Sequence, residues 1–232
     1  MQVQVKNNKG FTTLEVIVVL AIVGVLAAIS FPRFDDWSKK REIQAELIRA
    51  ITIFNNINSQ VQRGLYAFVQ VKIAPEEDDD GNDVITIVSR GMKANTLANY
   101  IATDTERNFI RKDDEARCLL DQNEWDDSGD TPGKPEVGKV ELKELTTSPS
   151  LNKPVVVCFS KDGRWYSSSA SLSDQKLNLN GKGGYCDKVD ERTEAKKCEY
   201  RITWTRFGSA KLEKKMSFKN NEGKITSNWV GQ

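Results

Sequence analysis

Apolar and polar positions fall into three regimes along the chain. From Val16 to Ile29 every residue is Val, Ile, Leu or Ala except Gly24. Widened to Phe11–Pro32, this stretch is 22 residues long; as a helix it spans about 33 Å, the thickness of a bilayer's hydrocarbon core. After Pro32 the run gives way to a periodic pattern. Ile43, Leu47, Ala50, Ile51, Phe54, Ile57 and Val61 recur at spacings of three and four, which predicts an amphipathic helix with Gly64 as its stop. If the two stretches are continuous, the helix covers 53 residues from Phe11 to Arg63, about 80 Å. Pro32 is expected to bend it without ending it.

Beyond Gly64 the apolar runs shorten to strand length. Leu65–Ile73 and Val84–Ser89 bracket the acidic loop APEEDDDGND and predict a hairpin. MKANTLANYIA reads as a short helix, ERNFIRKDDEARCLL fits neither period, and Trp125–Pro135 is loop. KVELKEL, KPVVVCF, RWYSSSA, CEYRITWTRF and AKLEKKMSF then read as strands separated by Gly, Asp and Ser turns. The expected fold class is α+β: a long N-terminal helix packed on an antiparallel sheet.

Composition narrows the chemistry. The 34 Lys and Arg balance 33 Asp and Glu, so no strong basic excess points to nucleic acid. There is no His, which excludes Ser-His-Asp and Cys-His catalysis and nearly all catalytic zinc sites. The acids stand in no recognisable constellation, and we expect no catalytic residue, no cofactor and no metal. Lys6 and Lys9 precede the apolar run, which places the N-terminus in the cytoplasm and the β-rich part outside. A secretory signal peptide shares that outline, with the AIS before Phe31 as its cleavage site. Against it stands Glu15, a costly residue inside an apolar core.

All four cysteines (Cys118, Cys158, Cys186, Cys198) lie beyond the long helix, and none forms a CxxC. An even count behind a membrane segment fits two disulfides in a periplasm. Three pairings are open. The favoured one joins Cys186 to Cys198, closing CDKVDERTEAKKC, and Cys118 to Cys158; four reduced thiols are the alternative.

The N-terminal residues carry a specific resemblance. A short basic leader ending in Gly10, then Phe11, then TTLE, then an unbroken aliphatic run, resembles the class III signal of type IV pilins and pseudopilins. The resemblance implies that prepilin peptidase cuts between Gly10 and Phe11, that Phe11 is N-methylated, and that Pro32 kinks the helix. It implies a leader at 1–10, a transmembrane and assembly helix at 11–32, its amphipathic half at 33–63, and an extracytoplasmic head at 64–232. The partners it implies are the peptidase, other pilin or pseudopilin subunits and the inner membrane, before a pilus or a type II secretion pseudopilus. Cutting after Gly10 would create an amine one helical turn from Glu15. An acid in lipid must be neutralised, and pairing with the amine of an adjacent subunit would set the register of assembly. VVVCFSKDGRWY and ITWTRFGSAKLEKKMSF further resemble hairpins of the GspH/FimT branch. The size of the head and its cysteines favour a minor subunit.

Three stretches offer sharper sites, each beside a plainer reading. Glu76, Asp78 and Asp80 ahead of Gly81 imitate the start of a calcium loop, but Ile87 stands where a bidentate Glu is required; a solvated hairpin tip is expected. Lys211, Lys214, Lys215 and Lys219 beside Phe218 form a candidate DNA contact. It is interrupted by Glu213, and loss of Lys6 and Lys9 would leave 32 basic residues against 33 acids. Ser167–Ser173 has no nucleophile motif around it, and Trp125, Trp165, Trp204 and Trp229 read as core or interface aromatics.

Overall fold

The computed structural model describes residues 12–64, 66–103, 113–119, 136–172, 174–187, 198–219 and 224–231, with the backbone alone for 28–33, 58, 96, 100, 103, 136, 137, 171, 187 and 219. The chain forms two compact units, Met1–Arg41 and Glu42–Gln232. Helix α1, Thr13–Gln62, contributes to both. It passes through position 32 as helix, so the proline does not end it. In the first unit the described part of α1 is exposed almost throughout.

The second unit holds about the last six turns of α1 and all the strands. Strands β1 (Tyr66–Glu77), β2 (Asp83–Lys93), β3 (Glu136–Leu142), β5 (Val155–Ser160) and β6 (Trp165–Ser167) form one antiparallel sheet in the order β3-β2-β1-β5-β6. Strands β4 (Leu145–Thr147), β7 (Lys176–Gly181), β8 (Glu199–Trp204), β9 (Ala210–Lys219) and β10 (Ile225–Gly231) form the other, in the order β10-β9-β8-β7-β4. The expected single sheet is thus two. The chain changes sheet between β3 and β4 across two residues, Lys143 and Glu144.

Both sheets and α1 share one core. Ile43, Leu47, Ala50, Phe54, Ile57 and Val61 are buried as their spacing predicts, joined by Ile53, whereas Ile51 is only partly buried. They meet Val69, Val71, Ile73 and Ile87 from the first sheet and Leu177, Leu179, Ile202 and Trp204 from the second. The indole of Trp204 stacks on Phe54 at 5.4 Å. Along β8 burial alternates in the expected way, with Tyr200, Ile202 and Trp204 inward.

Strand β1 breaks that alternation, with Phe68, Val69, Gln70 and Val71 all buried. Its other face is covered by helices α2 (Ala94–Thr103) and α3 (Asp114–Cys118) and by a second small core of Phe68, Met92, Cys118 and Cys158. Asp113 caps α3 by accepting from the Ala116 N–H at 2.8 Å. Gln70, fully buried, donates to the Cys118 carbonyl at 2.9 Å.

Candidate functional site

Helix α1 opens on a cap. The Thr12 hydroxyl accepts from the backbone N–H of Glu15 at 3.3 Å, and the Thr12 carbonyl accepts from Val16 N–H at 3.3 Å. Thr12 and Glu15 stand at capping-box spacing, with Glu15 in the first turn, where the helix dipole favours an acid. The spacing was readable in the sequence as T-x-x-E, yet Glu15 draws attention only as a charge in an apolar run. Gly10 and Phe11 lie outside the described residues.

From Leu14 to Leu26 the side chains of Leu14, Val16, Ile17, Val18, Val19, Leu20, Ile22, Val23, Val25 and Leu26 are exposed, from 48% to 73%. These positions go all round the helix, so no face is polar; a helix of this kind is ordinarily covered by lipid or by other helices. Among the described residues no helix is long and apolar enough to cross a membrane. The stretch from Phe11 to Pro32 includes residue 11 and the side chains of 28–32, which the structure does not describe.

In the second unit the cysteines form two disulfides, Cys118–Cys158 and Cys186–Cys198. The first ties α3 to β5. The second ties the short helix α4 (Gly184–Asp187) to the start of β8, against Gly181. The four lysines considered for DNA do not share a face. Strand alternation turns Lys211 and Lys215 to one side and Lys214 to the other, where its ammonium lies 5.8 Å from the Tyr200 ring. Lys215 is paired with Glu199, and the Lys219 side chain is outside the described residues. On the Lys215 side, Arg201 pairs with Glu213 at 2.8 Å and stacks on Trp229 at 4.3 Å.

The acidic hairpin tip is not simply solvated. One Asp78 carboxylate oxygen accepts from the backbone N–H groups of Asn82 at 2.9 Å and Asp80 at 3.1 Å; the other accepts from the Lys143 ammonium at 3.2 Å. Gly81 supplies the positive φ of 79° that closes the turn. The Asn82 N–H above all, then Lys143, holds the Asp78 carboxyl below its ordinary range. A neighbouring acid went unnoticed in the sequence. Glu46, one turn before Ala50 on α1 and 8% exposed, accepts from the backbone N–H groups of Lys143 at 2.9 Å and Glu144 at 3.0 Å. No local spacing relates positions 46 and 143.

Residues 5–31 match the family model described as the prokaryotic N-terminal methylation motif. A fimbrial protein of Moraxella nonliquefaciens is 33% identical over 79 residues, 34% of this chain and 49% of that protein. A fimbrial protein of Pseudomonas aeruginosa is 42% identical over 38 residues, 16% of this chain and 25% of that protein. The type IV major pilin protein PilE1 of Neisseria gonorrhoeae is 38% identical over 43 residues, 18% and 26% of the two chains. The chain therefore spans about half the length of the first relative and about a quarter of the others. No solved structure matches.

Proposed function

We propose, from an N-terminal segment of the type IV pilin family, that this chain is a structural subunit of a type IV pilus or a type II secretion pseudopilus. Prepilin peptidase cuts it between Gly10 and Phe11, the new Phe11 amine is N-methylated, and residues 11–32 hold it in the inner membrane with its N-terminus in the cytoplasm. The observation that carries the reading is the methylation-motif match at residues 5–31 leading into a helix whose aliphatic side chains are exposed on every side. Such a surface needs lipid first and helices of other subunits afterwards.

Glu15 is the assembly residue in this reading. Its backbone N–H is capped by Thr12, which fixes the first turn and so the place of the carboxylate. An unpaired carboxylate in lipid is costly, and the amine on the Phe11 of a neighbour neutralises it at one register only. A head with two disulfides suits a minor subunit exposed outside the cytoplasm.

Mass spectrometry of the mature N-terminus tests the reading. We expect N-methyl-Phe11; a mature chain beginning at Phe31 would establish a signal peptide and end it. Glu15→Val should leave cleavage intact while lowering incorporation into filaments at least tenfold, the effect of losing about 1.4 kcal/mol or more of pairing. Wild-type incorporation would remove Glu15 from the assembly step.

A further inference from the structure

Past the apolar run, α1 turns abruptly polar. Val16–Pro32 contains no charged residue, whereas seven of the ten residues from Arg33 to Glu42 are charged. Two of the three exceptions are Phe34 and Trp37, and both are exposed, at 63% and 51%. Their rings meet at 5.6 Å with a 41° tilt, and the Arg41 guanidinium lies 4.8 Å over the Trp37 ring. Helical side chains lean toward the N-terminus, so Arg41 reaches back one turn onto the indole. The result is a small continuous cluster of two tilted aromatic rings and one cation. Packing within α1 does not require it, and it leaves in water the residue type that costs most there.

Length along the helix says where that stack would sit. At 1.5 Å per residue, Phe34 and Trp37 are about 28 and 33 Å beyond Glu15 along the axis. A hydrocarbon core is about 30 Å thick and the headgroup zones add roughly 5–7 Å on each side. With Glu15 at the inner edge of the core, the two rings fall at its outer edge, and the guanidinium, drawn back over Trp37, falls at the level of the lipid phosphates. Amphipathic rings are enriched at that depth, and a guanidinium matches phosphate in geometry as well as charge.

We infer that Phe34, Trp37 and Arg41 form an interfacial anchor for the outer leaflet of the bilayer, the rings at the boundary of the acyl chains and the guanidinium on a lipid phosphate. This rests on the membrane reading above and adds to it a depth gauge. Anchoring at the outer face fixes Glu15 and the Phe11 amine at the inner face, where cleavage and pairing would occur.

The full chain, reconstituted at low protein-to-lipid ratio in phosphatidylcholine–phosphatidylglycerol vesicles, tests the anchor by bromolipid quenching. The emission lost on Trp37→Tyr is the Trp37 contribution, and co-flotation with the vesicles is scored separately. We expect this contribution to be quenched about twofold or more better by bromines near the glycerol end of the acyl chain than by bromines near its methyl end. With co-flotation intact, quenching by neither lipid would put the pair in water or against protein, and quenching best by the deep bromines would put it inside the core. Either result overturns the anchor and leaves the membrane reading standing. Failure to co-float removes both.

Discussion

Glu46 shows how one side chain can hold two sheets in register. Its carboxylate accepts both N–H groups of the turn that carries the chain from β3 to β4. Replacing Glu46 with Ala removes these two hydrogen bonds beside the core, which costs about 2–3 kcal/mol. Urea unfolding of the detergent-solubilised chain would measure it. Burial lifts the Glu46 carboxyl above its ordinary 4.5, against the pull of the Glu144 and Lys143 N–H groups. The folded chain then holds this proton more tightly than the unfolded one. The stability it contributes is fully present below about 4.5 and is lost as pH rises through the folded value. The unfolding midpoint of wild type should accordingly fall, relative to Glu46→Gln, as pH rises above that point. Asp78 has the opposite sign: held below its ordinary 3.8, it contributes above that value and the contribution disappears as pH falls through the folded one. Asp78→Asn should therefore flatten the acid limb of the midpoint–pH curve, while an unchanged acid limb would assign the turn's stability to Gly81 and the backbone.

At the scale of elements, the disulfides do what the local packing cannot. Helix α3 is five residues long, too short to persist alone, and Cys118–Cys158 fixes it over β5 across a sequence separation of 40. Closing a loop of that size stabilises by about 3–4 kcal/mol, so Cys118→Ser with Cys158→Ser should lower the unfolding free energy by that order, as measured by urea unfolding. The other disulfide lies so close to Gly181 that a Cβ there would come within 2.7 Å of the Cys198 Cβ. Gly181→Ala is expected to destabilise the β7–β8 pair, seen as a lower midpoint that reduction of the disulfide partly relieves. The same elements show what could be read in advance. The face of α1 from Ile43 to Val61 and strand β8 carry clear periods, because each has one side against the core, whereas β1, β2 and β5 are legible as short apolar runs buried at consecutive positions. Strand β10 is exposed except at Trp229, so ITSNWVG has no apolar alternation to betray it, and the Asn and Gly of β7 mask Leu177 and Leu179. The division into two sheets was not legible, since it falls at Lys143 and Glu144, where no Gly or Pro marks a break. Of the candidate site, the N-terminal segment was legible because its signal is local. The Thr12 cap was equally local and needed only the T-x-x-E spacing, whereas the lysines of β9 were read as a cluster because proximity in sequence says nothing of which side of a strand each residue faces.

For the molecule as a whole, the decisive quantity is the apolar surface that α1 leaves uncovered. Ten large aliphatic residues between Leu14 and Leu26 are each about half exposed or more, together well beyond the few hundred Å² that a soluble monomer ordinarily shows in one patch. At about 25 cal/mol per Å², covering that surface outweighs the modest contribution of any single contact in the head. The expected behaviour is separable by truncation. In detergent phase partition, the chain containing residues 11–32 should enter the detergent phase, and a chain beginning after Pro32 should stay in the aqueous phase with its disulfides intact. Adding Glu15→Lys to the longer chain should not move it back, because one charge at the end of the run does not offset ten exposed aliphatic side chains. The same change should still abolish incorporation into filaments, since it places like charges where the carboxylate would meet an amine. A Glu15→Lys chain that left the detergent phase would mean that the acid governs membrane residence itself, and not the docking of one subunit on the next.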